Sequence, residues 1–257
     1  MTGLTSYHNH TNWTDGSADV GQMIRSASAK GISRLGISDH LVMLPADKRP
    51  AWTLSPADTT RYLASVTDQI HQAPLPVYPG IEVDYIPDAA QEIQDLLTDH
   101  SFKYHIGSVH FVEGFPVDKS AEEWHRLTES EVNDVFRRYW QLIREAAESG
   151  LFHLIAHLDL PKKFGVAPTV EVEKEILNAL ETIAANNLPV ELNTAGWNKP
   201  CREAYPSANI LRLCRQRDIP VVVTDDAHRP EQLAQHRAAA GDLLRECGYQ
   251  TGSDLFP

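Results

Sequence analysis

Apolar runs rich in β-branched residues alternate along this chain with segments in which apolar side chains recur at helical spacing. Short, nearly continuous apolar runs are typical of strands that are buried on both faces of a parallel sheet. Strands that alternate with helices of this length predict βαβ units. The predicted strands lie near residues 4–10, 34–39, 76–83, 104–111, 153–158, 189–193 and 220–225. The predicted helices lie near residues 19–30, 56–72, 88–98, 129–149, 171–186, 207–217 and 230–246.

The clearest of these helices is the one over residues 129–149. Its apolar stripe runs from Val132 to Ala146, and Thr128 with Glu131 forms a candidate capping box before it. Gly150 follows at the position where a helix is commonly terminated by glycine. No composition shift, Gly/Ser-rich linker or repeat divides the chain, so we expect a single domain over residues 1–257.

Polar side chains that can bind metals follow every predicted strand. A series of βα repeats either closes into a barrel or lies open, and only a barrel draws its site from nearly all strand ends. His8 and His10 face the same side because strand side chains alternate. Imidazole and carboxylate groups without cysteine suit manganese, iron or zinc, although each residue taken singly also fits a polar group at a loop entrance. The candidate metal ligands are His8, His10, Asp15, His40, Glu82, His110, His157, Asp226 and His228.

Charge and hydropathy exclude several classes of partner. The net charge is -12, and no basic run is longer than Lys162-Lys163, which argues against nucleic acid. An anionic substrate stays compatible with this acidity, because bound cations reverse the local sign of charge. No signal peptide or membrane-spanning run is visible, and the three cysteines lack a Cys-x-x-Cys spacing. We therefore expect a cytoplasmic protein without a membrane partner, and a homo-oligomer stays an open alternative.

The motifs that carry these residues resemble, in order, those of the polymerase-and-histidinol-phosphatase (PHP) family of metallohydrolases. The resemblance implies an α/β fold, an irregular seven-stranded (β/α)7 TIM-like barrel, with the active site at the carboxyl ends of the strands. It also implies three divalent metal ions. The first would be held by His8, His10, Glu82 and Asp226, the second by Glu82, His110 and His157, and the third by Asp15, His40 and His228.

Softer motifs resemble the histidinol-phosphatase branch of that family. They are the segments 107–111, 116–118, 193–197 and 205–207. The branch implies hydrolysis of L-histidinol phosphate to L-histidinol and phosphate in histidine biosynthesis, with a metal-bridging hydroxide as the nucleophile. Two alternatives stay open: a phosphoesterase of the same fold that acts on nucleotides or oligonucleotide ends, and a non-catalytic, metal-dependent interaction module.

Several further residues are candidates for catalysis or substrate binding. Asp39 and His228 are candidates for protonating the leaving alcohol, and Asp39 equally suits a carboxylate that orients a histidine ligand. Residues 41–54 lack a regular pattern, as an active-site lid would, and static packing on the barrel is the alternative. Phe111 and Trp197 could flank an imidazole-bearing substrate or belong to the core. The candidate phosphate-binding residues are Lys162, Lys163, Lys199, Arg202 and Arg229, each of which could instead be a solvated surface cation.

Overall fold

A nearly closed barrel of seven parallel strands forms the centre of the computed structural model, as predicted. The structure describes residues 4–256, so Met1–Gly3 and Pro257 of the predicted domain lie outside the described residues. The barrel strands follow the order β1-β2-β4-β5-β8-β9-β10, and β3 extends the sheet beside β4. The strands are β1 (Thr5–Ser6), β2 (Arg34–Ile37), β3 (His40–Leu41), β4 (Val77–Asp84), β5 (Tyr104–Ser108), β6 (Phe111–Val112), β7 (Phe115–Pro116), β8 (Leu154–Ile155), β9 (Val190–Asn193) and β10 (Val221–Thr224).

The barrel is irregular where its first and last strands meet. The backbone N–H of His10 donates to the carbonyl of Ala227 at 2.9 Å, and the N–H of Ala227 donates to the carbonyl of His8 at 3.3 Å. These two bonds lie beyond the ends of β1 and β10, so they join the strands on the side where the metal-ligand candidates lie. The predicted strand at 104–111 ends at Ser108, and the antiparallel hairpin of β6 and β7 follows it.

Helices cover the outside of the sheet. In α5 (Glu129–Glu148) the capping box appears as predicted: the hydroxyl of Thr128 accepts from the N–H of Glu131, and the carboxylate of Glu131 accepts from the N–H of Thr128. The helix predicted over 230–246 begins only at Arg237, because Asp225 accepts from the N–H of Ala234 and the guanidinium of Arg237 and holds the preceding loop against the barrel. No helix within residues 4–256 is long and apolar enough to cross a membrane. The helices are α1 (Val20–Ala29), α2 (Thr59–Ile70), α3 (Ala90–Asp99), α4 (Ala121–His125), α5 (Glu129–Glu148), α6 (Glu173–Ala185), α7 (Ala208–Gln216) and α8 (Arg237–Glu246).

Aromatic side chains fill the barrel interior. Tyr7 and Tyr104 are fully buried there, and they pack with Ile106 and Leu154 in a core of their own. The ring of Tyr104 lies against Gly80, where an added Cβ would stand 2.2 Å from the ring. Because the interior is filled, the barrel is not a pore, and the polar groups collect at one mouth.

Candidate metal centre

The candidate metal ligands converge at the carboxyl-terminal mouth of the barrel. They come from the ends of separate strands, and the parallel direction of the strands brings these ends to the same side. Ligand atoms of His8, His10 and Glu82 lie within 4.8 Å of one another. The same limit holds for two further groups, which are His40 with Glu82 and His110, and His10 with Asp15, His40 and His228.

Buried Glu82 is the centre of this arrangement. Its Oε2 lies 2.7 Å from Nδ1 of His40 and 3.0 Å from Nε2 of His8. Its Oε1 lies 3.1 Å from Nε2 of His157 and 3.8 Å from Nε2 of His110. One carboxylate therefore faces imidazoles from four different strand ends.

Asp15 and Asp226 supply the remaining carboxylates. Oδ1 of Asp226 lies 3.2 Å from Nε2 of His10, and Oδ2 of Asp15 lies 3.2 Å from Nε2 of His228. Oδ1 of Asp15 lies 3.5 Å from Nε2 of His40. Every candidate ligand from the sequence thus lies in one continuous cluster, and its division among individual ions stays a prediction.

Unpaired nitrogen and oxygen atoms show that this cluster fits metal ions. Nδ1 of His8 donates to Glu191 at 2.6 Å, and its Nε2 lies 3.0 Å from Oε2 of Glu82. Burial alone would lower the pKa of His8, but these two carboxylates raise it, so a cation is favoured between the ring and Glu82. Nε2 of His8, both ring nitrogens of His10 and Oε2 of Glu82 are buried and make no hydrogen bond of good geometry, although Oε2 of Glu82 lies 2.7 Å from Nδ1 of His40. A metal ion is a cation that such buried nitrogen and oxygen atoms can share. Nitrogen and oxygen donors of this kind suit zinc, manganese or iron.

Mutual electrostatics set the protonation of the ligands. Burial, together with the neighbouring His40 and His228, lowers the pKa of His10 to about 3, which keeps this imidazole neutral and able to bind a metal. Burial alone would raise the pKa of Glu82, but His8 and His40 outweigh it and hold this pKa well below its usual range. His10 is therefore prepared as a neutral ligand and Glu82 as an ionised one, whereas nearby carboxylates raise the pKa of His8 and His110, whose rings lose a proton when they bind a metal.

Two carboxylates behind the ligands had no assigned role in the sequence analysis. Glu191 accepts from Nδ1 of His8 and, at 3.0 Å, from the N–H of His157. Asp84 accepts from Nδ1 of His110 at 2.5 Å. Such partners fix the tautomer and direction of a ligating imidazole. Strand alternation could have revealed Asp84, because it lies two residues after Glu82 and on the same face.

The two candidates for the proton donor occupy different surroundings. His228 lines the cavity at the mouth of the barrel. Asp39 is fully buried, and its carboxylate accepts from the N–H and hydroxyl of Thr11 and from the hydroxyl of Thr14. These contacts favour a role for Asp39 in fixing the loop that carries Asp15, so of the two only His228 borders the substrate cavity.

A cavity of about 790 Å³ opens over the cluster. Of the predicted phosphate-binding residues, Lys163, Lys199 and Arg229 line it. The structure does not bring Lys162 and Arg202 into the cavity wall, since the ammonium of Lys162 is held by Asp159 and Glu203, both at 2.9 Å. The ammonium of Lys163 is itself paired with Asp118 at 3.1 Å, so the cationic part of the cavity wall is smaller than the sequence predicted.

Comparisons with known proteins agree with this geometry. The family model described as "PHP domain" matches residues 6–195. A Deinococcus radiodurans protein described as "Probable histidinol-phosphatase" is 34% identical over 98% of this chain and 96% of its own length. A Schizosaccharomyces pombe protein with the same description is 28% identical over 66% of this chain and 59% of its own.

Two solved structures share the fold. The first, assigned as histidinol phosphatase HisK from Listeria monocytogenes, has a TM-score of 0.82 at 21% identity and covers 91% of this chain and 99% of its own. The second, histidinol phosphate phosphatase from Lactococcus lactis complexed with zinc, L-histidinol and phosphate, has a TM-score of 0.77 at 16% identity. The match to the second covers 96% of this chain and 94% of that one.

Proposed function

This chain belongs to the PHP domain family, and we propose that it is a metal-dependent phosphatase that hydrolyses L-histidinol phosphate to L-histidinol and phosphate. The observation that carries the proposal is the buried Glu82 carboxylate that faces imidazoles from four strand ends, at the floor of a cavity that Lys199 and Arg229 also line. The identity of 34% to a histidinol-phosphatase relative over nearly the whole chain supports the choice of substrate.

The proposed centre holds three divalent ions. The family resemblance implies the number of ions, the imidazole and carboxylate donors suit zinc, manganese or iron, and zinc is present in the Lactococcus lactis structure. Bound ions of this kind lower the pKa of water and neutralise negative charge on a phosphoryl group. The first ion is assigned to His8, His10, Glu82 and Asp226, the second to Glu82, His110 and His157, and the third to Asp15, His40 and His228.

Residues around the proposed metal ligands orient these ligands and bind the substrate. Glu191 fixes the orientation of the His8 ring, and Asp84 fixes the orientation of the His110 ring. Lys199 and Arg229 place positive charge at the cavity wall, where a phosphate dianion would be attracted, whereas the ammonium of Lys163 at the same wall is paired with Asp118 at 3.1 Å. His228 borders the same cavity and is assigned as a ligand of the third ion; because its Nδ1 bonds the carbonyl of Asp226 at 3.1 Å, a ring that binds the ion through Nε2 has no proton to give to the leaving alcohol.

Steady-state kinetics test this proposal. The kcat/KM for L-histidinol phosphate should exceed that for nucleoside monophosphates, and His8→Ala should lose both metal content and turnover. Preference for nucleotides would overturn the choice of substrate in favour of the nucleotide alternative. Full metal occupancy with unchanged turnover in His8→Ala would overturn the metal centre. Metal-replete protein without any phosphatase activity, but with chelator-sensitive binding to a partner, would indicate an interaction module.

A further inference from the structure

Two aromatic side chains form one wall of the substrate cavity. Trp52 and Phe111 both line it, and their rings lie 8° from parallel with centroids 6.2 Å apart. Both side chains are only partly buried, so part of their surface faces the cavity. We call this pair the aromatic wall.

The aromatic wall stands directly beside the metal-ligand cluster. The Trp52 ring lies 4.8 Å from the His40 ring and 5.6 Å from the His110 ring, edge to face in both cases. The chain next to Trp52 is fixed, because the hydroxyl of Thr53 and the N–H of Leu54 both donate to the carbonyl of His40, at 3.0 and 2.9 Å. The predicted lid is therefore anchored to the candidate ligand His40 by the two residues that follow Trp52.

The remaining aromatic groups near the mouth do not offer such a surface. Tyr205 borders the cavity but is only 1% exposed. Trp197, which the sequence suggested as a flanking residue, is absent from the cavity wall and packs against His236, with ring centroids 5.6 Å apart. Within residues 4–256, a planar group on the substrate thus meets exposed aromatic surface in this cavity chiefly at Trp52 and Phe111.

We propose that Trp52 and Phe111 bind the planar imidazole ring of the leaving alcohol and determine the preference of the enzyme for a phosphate ester that carries this ring. This inference rests on the proposed function and deepens it. The proposed metal ions and the cations of Lys199 and Arg229 would attract the phosphate, so the esterified group has to lie against the other cavity walls. An aromatic face next to the centre holds a flat ring by stacking while leaving its polar edges free for water or hydrogen bonds.

The test compares two substrates that differ only in the ring. L-Histidinol phosphate and L-alaninol phosphate carry the same phosphate ester and ammonium group, and only the former has an imidazole. In Trp52→Ala and in Phe111→Leu, kcat/KM for L-histidinol phosphate should fall about 10-fold, mainly through KM, while that for L-alaninol phosphate stays within about 2-fold. Trp52→Phe should restore most of the loss. Trp197→Ala is the matched control and should retain the wild-type ratio of the two kcat/KM values.

A binding measurement tests the same wall without turnover. L-Histidinol should change the tryptophan fluorescence of the wild-type protein saturably, L-alaninol should not, and the change should disappear in Trp52→Phe. Equal losses for both substrates, or reduced metal content in the variants, would overturn the inference and assign the wall to packing around His40 and His110. The inference would also be overturned if Trp52→Ala and Phe111→Leu both kept the wild-type ratio of the two kcat/KM values. Preference of the wild-type enzyme for nucleotides would instead contradict the proposed function, so the two failures are distinguishable.

Discussion

Single residues behind the metal ligands fix the direction of the ligating rings. Glu191 joins two of them, since one oxygen accepts from the ring of His8 and the other from the N–H of His157. The side-chain amide of Asn193 also donates to this second oxygen, at 3.1 Å. A carboxylate with so many fixed donors leaves the His8 ring a single direction, with Nε2 toward Glu82.

Replacement of Glu191 by Gln should weaken metal binding about 10- to 100-fold, because the neutral amide no longer enforces the Nδ1–H tautomer of His8. Titration against a chromophoric chelator measures this affinity. Glu203→Gln is the control, since Glu203 pairs with Lys162 outside the cavity wall. Equal affinity in Glu191→Gln and in the wild type would contradict the assigned role.

A second pair of histidines lies at the start of strands, away from the centre. The N–H of His105 donates to Nδ1 of His153 at 3.1 Å, and the ring of His105 bonds the carbonyl of Leu151 at 3.0 Å. Burial lowers the pKa of both imidazoles. Neutral rings are therefore favoured in the folded protein.

The stability of the protein should fall in acid partly because of His105. Below the ordinary histidine pKa of 6.5 the unfolded chain takes up a proton that folded His105 resists, so this contribution is present above pH 6.5 and is lost as the pH falls. The free energy of unfolding of His105→Gln should thus depend less steeply on pH than that of the wild type between pH 7 and 5. Urea denaturation at each pH measures the free energy of unfolding. The same pH dependence of the free energy of unfolding in His105→Gln and in the wild type would contradict the prediction. His71→Gln is the control at an exposed position and should show the pH dependence of the wild type.

At the level of elements, short strands and close ring packing shape the barrel. Strands β1 and β8 have only two residues each, so interior side chains have to hold the wall together. Tyr104 does so from β5, because its hydroxyl donates to the carbonyl of Tyr7 across the interior. Its ring occupies the space that side chains at Gly36 and Gly80 would need.

Gly80→Ala should destabilise the protein by about 1 to 3 kcal/mol, because the new methyl group overlaps the Tyr104 ring and β4 has to move. Thermal and urea unfolding measure the loss. Gly241→Ala is the control: it lies in α8, where the nearest side-chain atom is 3.4 Å from the added carbon, and helix propensity favours alanine. In the double variant Gly80→Ala/Tyr104→Leu the two losses should not add. Additive losses would show that the ring is not the obstacle.

At the scale of the whole molecule, the C-terminal segment is packed against the barrel end opposite the cavity. Phe256 stacks on Tyr78 with centroids 4.5 Å apart and meets the edge of Tyr7 at 5.4 Å. Asp254 accepts from the hydroxyl of Tyr7 at 2.5 Å and pairs with Arg34. One end of the barrel therefore contributes to stability, whereas the other carries the chemistry.

Phe256→Ala should cost about 1 to 3 kcal/mol of stability and leave kcat at 25 °C within about 2-fold of the wild type, because the lost ring packs at the end away from the cavity. Chemical unfolding followed through tryptophan fluorescence gives the stability, and phosphate release gives kcat. Val170→Ala, at an exposed position, should change neither. A large loss of kcat at full folding would contradict the separation of the two ends.

The apolar pattern predicted the strands and most helices, because the spacing at which apolar side chains recur depends only on neighbouring residues in the sequence. The capping box at Thr128 and Glu131 needs only neighbouring residues, and it appears as predicted. The start of the last helix was predicted wrongly, because Pro230–Gln232 form a separate 3-10 turn and the nearby Asp225 carboxylate accepts from the N–H of Ala234, which ties this segment to the end of β10. The helical period of apolar side chains does not reveal such a side-chain contact.

The sequence by itself determined the alternation of strands and helices and the residues that stand at the strand ends, because both follow from the spacing of side-chain types. Only the tertiary structure decided which partners these residues meet. His8 and Glu191 are 183 positions apart, and their contact depends on the closure of the barrel. For the same reason the fold alone decided that Lys163 faces the cavity while Lys162 does not, and that Trp52 rather than Trp197 stands beside Phe111. The directions of loop side chains depend on the contacts of the whole chain, which spacing along the sequence does not determine.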